Sequence, residues 1–326
     1  ALPGRLPRLS RLARALADGL AAAGEDAAVI GLLSGRRVEQ MVQLYYASVR
    51  IERLDAAWRR HLRQRLGCRD AAAGVFGLGT CHRVGSLRAP AVAEVGAYFQ
   101  QLADQVIRAQ GVAERDIYRV ADLHAAVTSH VGAVLAMAGA LRPHGLAYPP
   151  LGGIVGQHRP RLRVIDKGSR MVSDARWIPL PPVARRAIAV WRQETEALID
   201  PGRGIGLLNP AFAARGRAAL DGVAPPLIGL TSIFAAPTDL RAAELWEAAG
   251  TPAGAPRNWA RHFLRRELME AGLSGALIDG FMGHGGAPSD PLRPTSGASL
   301  QDGDALAAVL EAICAPLACI PQMEIP

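Results

Sequence analysis

RLRVIDKGSRMVSDARWIPL, residues 161–180, holds two short β-rich runs on either side of a polar loop. RLRVID (161–166) and RWIPL (176–180) have the length and the Val, Ile and Trp content of strands. KGSRMVSDA between them supplies turn residues, so the stretch reads as a hairpin or short sheet. Pro179, Pro181 and Pro182 end the second run. The chain on both sides is patterned for helices. Downstream, helices are expected over 183–199, 210–221, 238–250 and 257–272, the last ending at Gly272, then over 274–282 running into Gly283-His284. Residues 285–299, with three prolines, read as loop, and 301–318 as a last amphipathic helix. Upstream, Asp122 is expected to cap a long apolar helix over 123–140. Val95, Tyr98, Phe99, Leu102 and Val106 mark an amphipathic helix over 91–110. Val38, Met41, Val42, Tyr45, Val49 and Leu54 mark another over 38–66. Residues 67–89 are Gly- and Ala-rich and read as loop. The expected class is mainly α with a small β-sheet (α+β). A boundary near 111–121 divides a helical part, 1–112, from a mixed part, 113–326.

Composition narrows the partners. The 326 residues are 50% hydrophobic and 20% charged, with mean hydropathy +0.12, which excludes a disordered or collagen-like chain. The net charge is +8 and the pI near 10.0. Residues 1–112 hold 16 arginines against 9 acids, whereas the remaining residues hold 21 cations against 20 acids. A basic half beside a balanced half points to a polyanion, most simply nucleic acid, through arginines such as Arg36, Arg37, Arg59, Arg60 and Arg63. No stretch approaches 18 uninterrupted apolar residues, so no membrane partner is expected. The opening ALPGRLPRLSRLARAL is amphipathic and Arg-rich, in keeping with a transit segment or a DNA-contacting arm. Cys68, Cys81, Cys314 and Cys319 lack metal-ligand spacing, and Cys81-His82 is only a weak zinc signal. Reduced thiols, no metal and a cytoplasmic setting are expected.

Three separated pieces carry chemistry. GALRPHGLAYPP places Arg142 just after the long apolar helix. The hairpin places Lys167 at its turn. NWARHFLRRELMEAG is followed, about ten residues on, by FMGHGG. Taken in this order, over roughly 120–300, they resemble the catalytic domain of the tyrosine recombinases, or phage-type integrases, with their "TG-x-R", "KG…R-x-VPL", "H-x-x-R-H…L…AG" and "LGH" segments. The resemblance implies a recombinase catalytic core preceded by an all-helical core-binding domain, the two forming a clamp on duplex DNA. It assigns Arg142 and Arg261 as phosphate-clamping arginines, Lys167 as the hairpin lysine and His284 as the histidine of the "GH" element.

The residue types suit the task. A phosphodiester gains negative charge in its pentacoordinate transition state, and guanidiniums offer forked donors to the non-bridging oxygens. Lys167 is the one lysine among 37 cations. Arginine, with a pKa above about 12, cannot readily give up a proton, whereas an amine can protonate a leaving 5′ oxygen. His284 can donate to the phosphate or move a proton. Arg257, Arg261 and Arg265 recur every four residues and so share a helix face, read as a phosphate-tracking stripe. Trp259 and His262 read as packing.

Two positions depart from the family pattern. Asn258 stands where the commonest members have His; it can donate a hydrogen bond but cannot shuttle protons. All five tyrosines (Tyr45, Tyr46, Tyr98, Tyr118, Tyr148) precede residue 149. The window after His284, GGAPSDPLRPTSGASL, has none, and Thr295 takes the tyrosine's place in Pro294-Thr295-Ser296. An aliphatic alcohol is a far weaker acid than a phenol, whose pKa is near 10. The Thr oxygen also lies roughly 4 Å nearer its own Cα. Three explanations remain: a DNA binder that does not cleave alone, a nucleophile from a partner subunit, or an introduced change. The expectation is the first, with a partner-supplied hydroxyl or Thr295, Ser296 or Ser299 as the enzymatic alternative, and a DNA-binding regulator with a vestigial pocket as another. Tyr45 and Tyr46 read as core or groove-lining residues. The resemblance further implies no cofactor, nucleoid association, and homo- or hetero-oligomers on DNA, with an active recombinase as one candidate partner and 301–318 as a helix donated to a neighbour.

Overall fold

The long apolar helix expected in the middle of the chain is the axis of the fold. The computed structural model describes residues 9–37, 40–66, 82–143, 149–156, 158–165, 175–200, 205–284, 292 and 300–318. Helix α6 (Val120–Ala138) is buried on nearly every side, as a helix apolar all round must be. The segment Ile117–Ala138 has the length and apolarity of a bilayer span, but 83% of that window is buried inside the protein. The helices α5 (Val92–Ala113), α7 (Pro182–Ile199), α9 (Ala242–Ala249), α10 (Trp259–Glu270) and α12 (Leu300–Cys314) pack around it. Its start differs from expectation. The helix begins two residues before Asp122, which lies in its first turn and pairs with Arg119 at 2.8 Å rather than capping it.

The hairpin is present and gains a third strand. Strands β3 (Ile154–Val155), β4 (Arg161–Val164) and β5 (Arg176–Pro179) form an antiparallel sheet in that order, with Leu162 opposite Ile178. Alternation turns Leu162 and Val164 inward and leaves Arg161 and Arg163 partly exposed. The β4–β5 connection, with Lys167, lies outside the described residues. Helices α8 (Pro210–Leu220) and α11 (Gly275–Met282) and a short β6–β7 pair (Ile228–Gly229, Thr238–Asp239) complete this part.

The N-terminal part is not all helical. After α1 (Leu9–Ala22) and α2 (Ala27–Leu33), the continuous helix expected over 38–66 is broken. It becomes α3 (Val42–Tyr46), β1 (Ser48–Arg50) and α4 (Ile51–Leu66). Strand β1 pairs with β2 (Arg83–Gly85), which returns from a distant part of the chain and overrides the local helical period. The pairing depends on Gly85, whose φ is +107° and whose Cα lies so near the Ala47 carbonyl that a Cβ would collide with it. The predominantly helical class with small antiparallel sheets therefore holds.

One hydrophobic core runs across the expected boundary at 112/113. Trp259 of α10, fully buried, meets Tyr98 and Phe99 of α5 edge-on, with ring centroids at 5.7 and 6.3 Å, and Trp246 of α9 at 5.8 Å. Such pairs add about 0.5–1.5 kcal/mol each beyond area burial. Trp259 is thus a packing residue. Polar ties cross the boundary too, from Arg83 to Glu270 (2.9 Å) and from Arg53 Nη1 to the Met269 carbonyl (2.5 Å). Helix α12 lays Leu306, Leu310 and Cys314 into the core of its own chain.

Candidate functional site: an arginine–histidine cluster at the end of helix α6

Ala140, at φ +45°, turns the chain out of α6 two residues before Arg142. Helix ends leave carbonyls without intrahelical donors, and here two arginines supply them. Arg176, at the start of β5, donates to the Gly139 and Ala140 carbonyls at 3.2 and 3.3 Å and also to the Phe281 carbonyl. Arg261 of α10 donates to the Ala140 carbonyl at 2.6 Å and the Met282 carbonyl at 2.5 Å. The α6 terminus, β5, α10 and the end of α11 are thereby joined at one point.

Gly283 closes α11 in the left-handed region (φ 66°), with its N–H on the Asp279 and Gly280 carbonyls. That turn aims His284 back at α10. Arg261 Nη2 lies 2.8 Å from His284 Nε2. A guanidinium only donates, so Nε2 accepts and the ring proton sits on Nδ1. Nδ1 is buried and meets no acceptor among the described residues. Burial, then the charges of Arg261, Arg265, Arg142 and Arg176, hold the imidazole far below the usual histidine range. His284 is accordingly a neutral hydrogen-bond donor, not a proton shuttle. Arg142 is partly exposed beside it, and its Nε is buried without an acceptor among the described residues.

Arg142, Arg261 and His284 therefore converge, as expected from sequence. Lys167, Thr295 and Ser296 lie outside the described residues. Leu292, three residues before Thr295, is buried, and its carbonyl accepts from Trp177 N at 2.7 Å, which ties that one residue to β5.

The helix-face arginines behave differently from one another. Arg265 is fully buried and ion-paired with Asp26 (3.1 Å) and Asp279 (2.6 Å), so it is no part of a phosphate-tracking stripe. The shared face of Arg261 and Arg265 points into the protein because α2, α3 and α11 cover it. Arg257 is exposed and pairs with Glu247 at 2.9 Å. Arg36, Arg37 and Arg63 are exposed. Arg59 is held by Asp55 at 2.7 Å, and Arg60 by Glu25.

Sequence reading missed a polar and aromatic group beside the cluster. The Tyr46 ring lies 5.0 Å from the Arg261 guanidinium and stacks on His284 at 5.0 Å and 21°. Tyr46 is only 8% exposed. Tyr45 is half-buried; its hydroxyl receives Arg88 Nη1 and lies 3.5 Å from Asn258 Nδ2. His262, fully buried, meets Ser86 Oγ through Nδ1 at 2.8 Å. Burial, then Arg88 and Arg261, lower its pKa to about 4. The adjacent pair Tyr45-Tyr46 was the only local signal; the return of β2, which brings Ser86 and Arg88, had none. Arg176 did have one, as the arginine opening RWIPL.

No protein-family model, curated protein or solved structure matches this chain.

Proposed function

We propose that this chain is a duplex-DNA-binding protein with a catalytic core of the tyrosine-recombinase kind. It holds a backbone phosphate with Arg142, Lys167, Arg261 and His284 and lacks the family's nucleophile after its "GH" element. The observation that carries the reading is the convergence of Arg142, Arg261 and His284, which come from three segments far apart in the chain. Two features support the chemistry. Arg142 Nε and the His284 Nδ1–H are buried donors that meet no acceptor among the described residues, as an anion site requires. Arg261, already bonded to two carbonyls and His284, orients the set and adds charge beneath it. Lys167 follows β4 and precedes β5 in the sequence, and Arg176, the first residue of β5, donates to the Ala140 carbonyl that also receives Arg261.

The N-terminal excess of arginine supplies backbone contacts that carry no sequence information. The reading includes assembly with further copies or with a second recombinase, and residence at the nucleoid. Residues 285–299 offer no phenol, only aliphatic hydroxyls such as those of Thr295, Ser296 and Ser299, so cleavage by this chain alone is expected to be absent or very weak. The test is a gel-shift titration of duplex DNA over a salt series. Affinity is expected to fall steeply as salt rises, and Arg142→Ala to weaken binding. Salt-independent binding, or none, would sink the proposal.

A further inference from the structure

We propose that an apolar patch at the start of α6, remote from the arginine–histidine cluster, joins two copies of this chain. The patch gives a surface to the assembly with further copies in the reading above and rests on that part of it alone. Two copies pair there without DNA, so the interface and DNA binding are scored apart.

Five large apolar side chains stand in water at this end of the molecule. Ile117 and Tyr118 lie on the 3-10 turn Ile117–Arg119 that leads into α6, and Tyr118 is 64% exposed. Phe234, 68% exposed, sets its ring against Tyr118, with centroids 6.2 Å apart and planes tilted by 42°. Asn209 Nδ2 donates to the carbonyls on either side of Phe234, those of Ile233 and Ala235, at 2.9 and 2.8 Å. The turn just before Asn209 carries Leu207 and Leu208, 72% and 52% exposed. Side chains of these sizes at these exposures present roughly 500 Å² of apolar surface, within the range where a patch marks an interaction site.

The patch is held in shape. Ile233 is buried and anchors the loop of Phe234. Ala235 N donates to the Ser232 carbonyl at 3.0 Å, and Phe234 N to Ser232 Oγ at 3.3 Å. Asp116 Oδ1 accepts from Tyr118 N at 3.0 Å and fixes the other turn. Rings on fixed backbone lose little freedom when they are covered, which favours association.

Position and charge select a second copy as the occupant. The 19 residues of α6 separate the patch from the cluster, about 28 Å at 1.5 Å per residue. A partner at the patch leaves the Arg142 side open to DNA. The rim consists of Glu114, Arg115, Asp116, Arg119 and Asp122, all exposed. Three acids beside two arginines, in a chain of net charge +8, offer nucleic acid little attraction. A twofold axis brings the same patch against itself, and a rim of both signs then sets acids of one copy against arginines of the other. A stable pair buries about 800 Å² on each chain. The apolar patch meets more than half of that, and the charged rim lies around it to supply the rest. Helix α12 is not needed for this contact, because its Leu306, Leu310 and Cys314 sit in the core of their own chain.

The test is sedimentation of the full chain without DNA, over a concentration series from about 0.1 to 100 μM. The expected result is a reversible rise in mass from 34.4 kDa toward twice that value. Phe234→Glu puts a charge into the patch on both copies and is expected to weaken pairing by about 100-fold or more. Its melting temperature should stay near that of the wild type, since Phe234 is exposed. Leu87→Glu also removes an exposed apolar side chain, but next to Ser86, which bonds His262 near the cluster, and should leave pairing unchanged. A wild-type chain that stays monomeric overturns the proposal, as does a dimer that Phe234→Glu leaves intact or that Leu87→Glu dissolves equally. Gel shifts of Phe234→Glu with duplex DNA report the phosphate pocket on its own.

Discussion

Arg261 donates to His284 Nε2 across 2.8 Å, and that bond decides what the histidine can do. It fixes the proton on Nδ1, while burial and then the charges of four guanidiniums keep the ring neutral. Nitrogen NMR is expected to show one Nδ1-protonated tautomer with no titration while the protein stays folded. Arg261→Leu removes the donor and the nearest charge, and should raise the His284 pKa while burial and the remaining arginines still hold it below the ordinary value near 6.5. A protonated His284 in the wild type at neutral pH would contradict the assignment.

Arg142 is the partly exposed arginine of the cluster, and no hydrogen bond holds it among the described residues, so its loss should act on binding rather than folding. Arg142→Ala is expected to weaken duplex affinity about tenfold and to lower the slope of log affinity against log salt by about 1. Its melting temperature should stay near that of the wild type.

Arg265 should show the opposite pattern. It is buried between Asp26, which caps α2, and Asp279 of α11. Removing one partner of a buried pair costs about 3–5 kcal/mol because the other charge is left uncompensated. Arg265→Ala and Asp26→Ala should therefore unfold at markedly lower denaturant. Arg257→Ala, at an exposed pair with Glu247, should cost less than about 1 kcal/mol.

His124 predicts a pH effect on stability. Its Nδ1 lies 3.0 Å from both Glu194 oxygens and its Nε2 lies 3.0 Å from the Ile228 carbonyl. Both nitrogens face acceptors, so both must carry protons. Burial, the largest single influence, opposes the charge. The Glu194 charge and the hydrogen bonds from Glu194 and Ile228 together outweigh it and raise the pKa. The folded protein then holds this proton more tightly than the unfolded chain. The stabilisation is complete below about 6.5, the unfolded value, and is lost as pH rises through the folded value. Melting temperature should fall over that alkaline range, and Glu194→Gln should remove the slope.

Cys314 is fully buried on α12, where burial and then Glu311 push its thiol up to about 12. It should resist alkylation in the folded protein at pH 8 and react once denaturant is added. Quantitative mass spectrometry of the Cys314 peptide reads the difference.

Much of the local structure was legible because it depends on near neighbours. The period of residues 91–110, the Gly272 stop after α10 and the β-rich runs around Lys167 all became the elements their sequences describe. The break in 38–66 was not legible. Val49 fits a helical stripe and loses to a strand partner, Val84, 35 residues away. The face of α10 was misread for a related reason. Periodicity says that Arg261 and Arg265 share a side, but not whether water or protein lies against it.

For the cluster itself, the family resemblance carried by three separated segments singled out Arg142, Arg261 and His284, because those segments keep their order along the chain. The tertiary structure alone decided their states. It stacked Tyr46 on His284, fixed the histidine's tautomer, buried Arg265 with two carboxylates and brought Tyr45 to Asn258 across 213 positions. Protonation and exposure are set by what surrounds a side chain in space. Those surroundings are assembled by long-range packing, which a local sequence pattern does not encode.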